Sequence, residues 1–186
     1  MDLFEKTLEQ NYVMNGRIIN VRVDKVELCN GKTSTREVVE HPGGVCVAPL
    51  TDDGKLLFVK QYRYPYSEVL LELPAGKLEK GEDPLSAGIR ELKEETGAVA
   101  QNVFSLGKDY PTVAYCTEII HIYCATGLRF EEQDLDEDEF IELEEIDIDT
   151  AVEMVMTDKI RDSKTQIAIL KIARMIENGE IEINRK

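Results

Sequence analysis

The sequence has no apolar run long enough to cross a bilayer, no CxxC pair, and no internal repeat or interdomain linker. The first absence argues against a membrane-spanning protein. The acidic N-terminus also lacks the apolar core of a secretory signal, so we expect a cytoplasmic location. The four cysteines lack the spacing of zinc ligands and are expected to be reduced, buried thiols: Cys29, Cys46, Cys116 and Cys124.

Positive charge is scarce as well. The 22 lysines and arginines stand against 37 aspartates and glutamates, which gives a formal net charge of −15. Such a surface repels nucleic-acid backbones and anionic lipids, so we expect neither as the main partner. An anionic substrate stays compatible with this charge where metal ions invert its sign locally. The 186 residues are enough for one domain with a sizeable core.

Strand patterns dominate the first part of the chain. Residues 17–29 and 33–40 are rich in β-branched residues and flank an Asn-Gly turn, which predicts a hairpin. Helical periodicity follows residue 147, with Ser163 as the expected N-cap and Gly179 as the expected stop of the last helix. Strands first and helices last predict an α+β sandwich rather than a doubly wound fold. Further strands are predicted at VCVAPL, KLLFVKQYRY, EIIHIYCAT (118–126) and FIELEEI (140–146).

The segment Leu73–Val99 interrupts the strands with a helical pattern. Asp83 suits the N-cap and Pro84 the first helical position, so a helix is expected over residues 84–95, ended by Gly97. The apolar positions that recur at spacings of three or four predict a stripe facing the core: Leu85, Ile89, Leu92 and Thr96.

The same helix carries acids in an unfavourable arrangement. Glu91 and Glu95 share a face one turn apart, Glu94 borders that face, and Arg90 is within reach of Glu94. Like charges at this spacing repel, and acids near a helix C-terminus oppose the dipole. A divalent cation would remove the conflict, because hard cations prefer oxygen ligands. A solvated acidic face is the alternative that the spacing alone leaves open.

This segment resembles the Nudix box: Gly, five residues, Glu, seven residues, then Arg-Glu-hydrophobic-any-Glu-Glu-any-Gly-hydrophobic. Only the last position departs, with Ala98 where a bulkier aliphatic residue is usual. The resemblance implies a Nudix-type α/β/α sandwich with a mixed sheet. It also implies an N-terminal β-hairpin extension at residues 1–40, which would serve dimerisation, and a hydrolase domain at residues 41–186. The matching positions are Gly76, Glu82, Arg90, Glu91, Leu92, Glu94, Glu95 and Gly97.

The resemblance also implies roles for these residues. Glu91 and Glu95 would be the main metal ligands, with Glu94 ligating or assisting catalysis and the carbonyl of Ala75 as a further ligand. The implied cofactor is Mg²⁺, with Mn²⁺ as an alternative. The implied structural and orienting residues of the box are Gly76, Glu82, Arg90 and Gly97.

The flanking segments are similar to the ADP-ribose or ADP-sugar pyrophosphatase branch of the family. This likeness implies a nucleoside diphosphate sugar substrate and a homodimer. It implies contacts of Arg63 with the diphosphate or terminal ribose, of Arg36 and Glu40 with the adenosine end, and of Glu118 with the substrate. One turn departs from this branch, because Thr112-Val113-Ala114 replaces a Ser-Pro-Gly-like sequence. This leaves other nucleoside diphosphate sugars open as substrates.

The late acidic stretch EEQDLDEDEF (131–140) occupies the position where relatives place a general base. Glu137 and Glu139 would align best, and the sequence does not decide between them. A solvated acidic loop is the alternative. Two readings compete with the ADP-ribose assignment: hydrolysis of another nucleotide sugar or a dinucleoside polyphosphate, and a regulator that binds a nucleotide without cleaving it.

Overall fold

The computed structural model describes residues 2–135 and 139–184, so Glu137 lies outside the described residues. The chain forms two compact units. The first comprises Met1–Gly43 with Tyr110–Ile119, and the second comprises Gly44–Asp109 with Ile120–Lys186. Within the described ranges, none of the helices has both the length and the apolar character needed to cross a membrane.

The first unit is built on an antiparallel sheet in the order β1-β2-β3. Its strands are β1 (Lys6–Asn15), β2 (Asn20–Glu27) and β3 (Thr33–Glu40). The predicted hairpin of β2 and β3 is confirmed, and its turn places Gly31 at a φ of +78°. The structure adds β1, which the sequence did not predict because all ten of its residues are exposed and show no polar–apolar alternation.

The segment 110–119 completes the first unit by running beside the end of β3. The Val39 N–H donates to the Tyr115 carbonyl at 2.7 Å, and the Thr117 N–H donates to the Val39 carbonyl at 2.9 Å. The Thr117 hydroxyl also accepts from the His41 N–H at 3.0 Å. The turn Thr112-Val113-Ala114, which replaces the Ser-Pro-Gly-like sequence, therefore begins a segment that hydrogen bonds hold against Val39 and His41.

The second unit contains two sheets. A mixed sheet has the order β7-β4-β9-β8, in which β4 and β9 are parallel, and an antiparallel sheet has the order β10-β5-β6. The four strands predicted here are confirmed as β4, β5, β9 and β10, whereas β6, β7 and β8 were not predicted. The strands are β4 (Gly44–Pro49), β5 (Lys55–Arg63), β6 (Glu68–Glu72), β7 (Ala75–Lys77), β8 (Ala98–Asp109), β9 (Ile120–Phe130) and β10 (Glu142–Asp147).

Helices cover both faces of the mixed sheet. They are α1 (Pro84–Thr96), α2 (Ile148–Met156) and α3 (Ser163–Glu177). Alternate residues of β4 point to opposite faces, as the period of two requires. Val45 and Val47 belong to one buried cluster with Leu92 of α1, and Cys46 belongs to another with Ile169 of α3. The second unit is therefore an α/β/α sandwich, as predicted.

Three local predictions are wrong. The N-cap of α3 is Asp162 rather than Ser163, because the Asp162 carboxylate accepts the Thr165 N–H at 3.1 Å. The stripe on α1 is only half buried. Leu92 and Thr96 are buried, but the helix turns Leu85 and Ile89 outward. Two of the four cysteines are not buried: all are free, yet Cys29 is exposed and Cys116 is half-buried.

Candidate active site

Capping residues fix both ends of α1. The Asp83 carboxylate accepts the Ser86 N–H at 2.9 Å, and Pro84 opens the helix. At the other end, Gly97 adopts the left-handed conformation with a φ of +70°, and its N–H donates to the Lys93 carbonyl at 2.7 Å. The buried face of the helix carries Glu91 and Glu95. The helix therefore aims two carboxylates into the protein rather than into solvent.

Arg90 pairs with three carboxylates at the solvent side of this site. Its Nε lies 3.1 Å from Glu82 Oε1, its Nη1 lies 2.7 Å from Glu94 Oε2, and its Nη2 lies 2.9 Å from Glu91 Oε1. Glu82 also accepts the Glu79 N–H at 3.0 Å, and these donors lower the pKa of Glu82. Such charge-assisted bonds tie the loop to the helix. The orienting roles of Arg90 and Glu82 in catalysis stay predictions.

The space for Glu91 depends on Gly76. A Cβ atom at position 76 would lie 1.9 Å from Glu91 Cδ and 2.0 Å from its Oε1, so the Glu91 carboxylate would have to shift. The carboxylate therefore rests directly on the β7 backbone. Burial raises the pKa of Glu91 above its ordinary value, and this effect exceeds the lowering by Arg90.

Glu95 is the more deeply buried of the two acids, with 2% of its surface exposed. Its Oε2 accepts the Ala75 N–H at 3.0 Å. Burial, aided by the negative charges of Glu91 and Glu139, raises the pKa of Glu95 to about 8. The Ala75 N–H and the charge of Arg63 lower the pKa of Glu95 too little to compensate. The site therefore holds a carboxylate whose charge the protein itself leaves largely unbalanced.

These residues fit a divalent cation by the chemistry of their donors. Glu91 and Glu95 supply buried oxygen ligands of the kind that hard cations prefer, and a cation between them would offset the cost of ionising both. The acids are not fully assembled, however. Within residues 2–135 and 139–184, no three histidine, cysteine or acidic side chains converge on one point, and Glu94 is held by Arg90.

The acidic stretch predicted to supply a base packs against the end of α1. The Glu131 N–H donates to the Gly97 carbonyl at 2.8 Å, and the Asp134 N–H donates to the Glu94 carbonyl at 3.1 Å. A Cβ atom at Gly97 would lie 2.3 Å from the Glu131 carbonyl oxygen, so glycine is required there for packing as well as for its φ. Glu139 is close enough to raise the pKa values of both Glu91 and Glu95.

Arg63 is engaged by a residue that the sequence analysis missed. Its Nε and Nη2 each donate to the Glu72 carboxylate at 2.7 Å, and Lys164 Nζ donates to the same carboxylate at 2.6 Å. Although burial acts in the opposite direction, these two cations lower the pKa of Glu72 to about 2. The one sequence signal was an acid within the apolar run VLLELP.

The remaining predicted contacts belong to the first unit and are already paired there. Arg36 binds both carboxylate oxygens of Glu5, at 2.8 and 2.5 Å. Glu40 accepts from the Tyr12 hydroxyl at 3.0 Å and lies 3.3 Å from Arg22 Nε.

Glu118 Oε1 lies 3.3 Å from His41 Nδ1. Its predicted contact with substrate stays a prediction, as do those of Arg36 and Glu40.

The chain matches two known domain families. The NUDIX domain matches residues 40–166, and the nucleoside diphosphate sugar hydrolase N-terminal domain matches residues 5–39. The chain belongs to the Nudix family of hydrolases, whose members generally use divalent metal ions.

Individual relatives cover nearly the whole chain. It is 43% identical to the ADP-ribose pyrophosphatase of Bacillus subtilis (strain 168), over 90% of this chain and 91% of that protein. It is 45% identical to the methanol dehydrogenase activator of Bacillus methanolicus, over 89% and 90% of the two chains. The crystal structure of an ADP compounds hydrolase shares the fold, with a TM-score of 0.85 at 22% identity over 96% of this chain and 98% of that one.

Proposed function

We propose that this Nudix hydrolase cleaves the diphosphate bond of ADP-ribose or a related ADP-sugar and releases AMP and a sugar phosphate. The carrying observation is the buried pair Glu91 and Glu95, placed by the box against the β7 backbone with too little positive charge to balance both. The names of relatives support the substrate class. Besides the B. subtilis protein, an ADP-ribose pyrophosphatase of Mycobacterium tuberculosis is 39% identical over 67% of this chain and 60% of that protein.

In this proposal Glu91 and Glu95 hold Mg²⁺, or alternatively Mn²⁺, with Glu94 and the Ala75 carbonyl as further ligands. A bound divalent ion supplies charge neutralisation at the diphosphate and hydroxide near neutral pH. The protein contributes positioning, because the Ala75 N–H fixes one oxygen of Glu95 and Arg90 fixes Glu94. Positioning and charge stabilisation are the main catalytic effects available for phosphoryl chemistry.

Glu139 is the described candidate for the general base. Its charge raises the pKa values of Glu91 and Glu95, which supports a position near the proposed metal ligands. A base must reach the proton that it removes, directly or through one water. Glu137 remains a second candidate, outside the described residues.

Arg63 would contact the diphosphate or the terminal ribose. Arg36 and Glu40 would contact the adenosine end, and Glu118 the substrate beside them. The replaced turn, Thr112-Val113-Ala114, favours a second candidate substrate, another nucleoside diphosphate sugar, because a turn without proline and glycine shapes a different pocket wall. A GDP-mannose pyrophosphatase of Yersinia enterocolitica is 31% identical over 75% of this chain and 78% of that protein.

We also propose a homodimer that forms through the N-terminal extension. The edge strand β1 is exposed along all ten residues and carries apolar side chains at Leu8, Tyr12 and Val13. Edge strands with unpaired backbone groups favour pairing with another chain. Analytical ultracentrifugation of the full chain and of a Val13→Lys variant would test this, since a monomeric parent contradicts it. The cytoplasmic location stays a prediction from the sequence.

The decisive experiment measures hydrolysis of ADP-ribose beside several ADP- and GDP-sugars and a dinucleoside polyphosphate, with Mg²⁺ or with EDTA, and identifies the products. We expect Mg²⁺-dependent release of AMP and ribose 5-phosphate, with ADP-ribose among the best substrates. Preferred turnover of a GDP-sugar would move the assignment to the second candidate. Nucleotide binding without turnover of any compound would contradict the enzymatic proposal.

A further inference from the structure

Four side chains of alternating charge form a continuous row beside the box. Arg63 binds Glu72 through two 2.7 Å hydrogen bonds, Glu72 accepts from Lys164 at 2.6 Å, and Lys164 Nζ lies 2.9 Å from Asp162 Oδ1. We call this set, Arg63–Glu72–Lys164–Asp162, the charged row. It joins β5, β6 and the first turn of α3, and its two positive and two negative charges cancel.

The row runs from the interior to the surface. The side chains of Glu72 and Lys164 are 3% and 10% exposed, whereas that of Arg63 is 36% exposed. Burying such charges is costly, and apolar residues of similar volume would often serve stability equally well. The row therefore needs a reason besides stability, and its exposed guanidinium is the group that can meet a ligand.

The buried part of the row is fixed at every point. Asp162 caps α3 by accepting the Thr165 N–H, and the Thr165 hydroxyl accepts the Leu73 N–H at 2.9 Å. The residue next to Glu72 is thus tied to the same helical turn that supplies Lys164. Because its backbone neighbour and its carboxylate are both held, Glu72 offers Arg63 a rigid point of attachment.

The orientation of Arg63 follows from this attachment. Glu72 occupies Nε and Nη2, and among the described residues Nη1 and the second N–H of Nη2 have no partner. Those donors form the fork that suits phosphate oxygens. Glu72 also lies three residues before Ala75, whose N–H donates to Glu95 Oε2 at 3.0 Å, so one short backbone segment anchors both Arg63 and the proposed metal ligand.

We propose that Glu72 and Lys164 are positioning residues that present the free edge of the Arg63 guanidinium to the diphosphate of the substrate. Lys164 keeps the Glu72 carboxylate neutralised while Arg63 shares its charge with the anion. The identity of that anion rests on the proposed function, whereas the dependence of Arg63 on Glu72 does not.

A double-mutant cycle between Glu72 and Arg63 tests this. Glu72→Gln keeps the shape and removes the charge, and we expect KM for ADP-ribose to rise about tenfold, with a much smaller change in kcat, as for the loss of one charge-assisted contact. Lys164→Met should raise KM in the same direction. In an Arg63→Ala background, Glu72→Gln should have no further effect on KM. Equal effects in both backgrounds would overturn the proposal, because Glu72 would then act independently of Arg63.

Two further variants serve as a control and as a substitute in case the first variants do not fold. Lys60→Met removes a cation of the same strand that pairs with half-buried Glu144, and KM should remain unchanged. If the Glu72 and Lys164 variants fail to fold, Arg63→Lys replaces them, since it keeps the charge at the exposed end and loses the fork. It should also raise KM about tenfold if the contact is a charge-assisted bidentate one, and an unchanged KM would overturn the proposal.

Calorimetry with Mg²⁺ and ADP separates this proposal from the proposed function. A parent protein that binds ADP but cleaves no nucleotide sugar would refute the proposed function alone. The double-mutant cycle would then be measured through the Kd for ADP. A parent that shows neither binding nor turnover would refute both. A rise in Kd for Glu72→Gln that disappears in the Arg63→Ala background supports the row as a positioning device.

Discussion

Two glutamates are buried to the same extent, but their pKa values are shifted in opposite directions. Glu72 and Glu95 are each 2% exposed. The pKa of Glu72 is lowered to about 2, because Arg63 and Lys164 both bind its carboxylate. The pKa of Glu95 is raised to about 8, because burial and nearby acids outweigh one backbone hydrogen bond.

The difference shows that burial alone does not define the chemistry of a carboxylate. The cations that the fold places beside a buried carboxylate decide its state. With such cations it is ionised and paired, and without them it can bind a cation from solution. Glu72 is compensated within the chain, so it suits an anchoring role. Glu95 is not, so it suits the binding of a divalent ion.

Removing the uncompensated carboxylate should have the largest effect. Glu95→Gln keeps the shape of the side chain and its bond to Ala75, but removes a metal ligand. We expect kcat/KM for ADP-ribose to fall about a thousandfold or more, since metal charge stabilisation is worth several kcal/mol. Steady-state kinetics at saturating Mg²⁺ measure this, and Glu145→Gln, on the exposed side of β10, is the matched control. An unchanged rate would remove Glu95 from the site.

The box and the charged row also differ in how far the sequence could predict them. The box lies within one short segment, so its spacing predicted α1, its Asp83 cap, its Gly97 stop and the shared face of Glu91 and Glu95. Glu72 and Lys164 are 92 positions apart. Only the tertiary fold brings them together, and no local period encodes their contact.

The wrong predictions have a related cause. The apolar spacing on α1 indicated that Leu85 and Ile89 face the core, yet the helix buries Ala87 and the two acids instead. A rule that assigns burial by hydrophobicity cannot anticipate a helix whose buried face serves a charged ligand. The strand β1 was missed for the opposite reason, since its exposed residues carry no burial pattern at all.

Removing the buried lysine that compensates Glu72 should lower stability in addition to raising KM. Lys164→Met leaves Glu72 with one cation and Asp162 without its lysine, and we expect the free energy of unfolding to fall by about 3 kcal/mol. Urea denaturation followed by circular dichroism measures this. Lys60→Met removes a surface pair and should cost less than about 1 kcal/mol. Equal costs for the two variants would mean that the row is not compensated as its geometry indicates.

Displacing the carboxylate without removing it gives a test of placement. An alanine at Gly76 would put its Cβ 1.9 Å from Glu91 Cδ, so Glu91 must move. We expect kcat/KM to fall about a hundredfold, because small misplacements of catalytic groups have effects of this size. Gly81→Ala, in the loop that follows β7, is the matched control. Gly81 has a φ of +81° and no neighbour within 4 Å, so the variant should lose about 1 kcal/mol of stability and keep its activity. Full activity of Gly76→Ala would contradict the close contact.

The last test changes only the pH, because the two glutamates should respond to it with opposite signs. The pKa of Glu95 is 4.5 in the unfolded state and about 8 in the folded state. At a pH between these two values, the folded state holds a proton that the unfolded state has lost. In EDTA, the stability of the parent relative to Glu95→Gln should therefore fall as the pH rises from 4.5 to about 8, and then level off.

For Glu72 the unfolded state holds the extra proton, so stability relative to Glu72→Gln should rise with pH from about 2 to 4.5 and stay constant above that. Each slope is at most about 1.4 kcal/mol per pH unit. Urea denaturation across this pH range measures both differences. Mg²⁺ should raise the stability of the parent above pH 7 and leave Glu95→Gln nearly unchanged, because an ion that binds only the folded state stabilises it. Slopes of the same sign would mean that the two carboxylates do not differ in how the fold balances their charge.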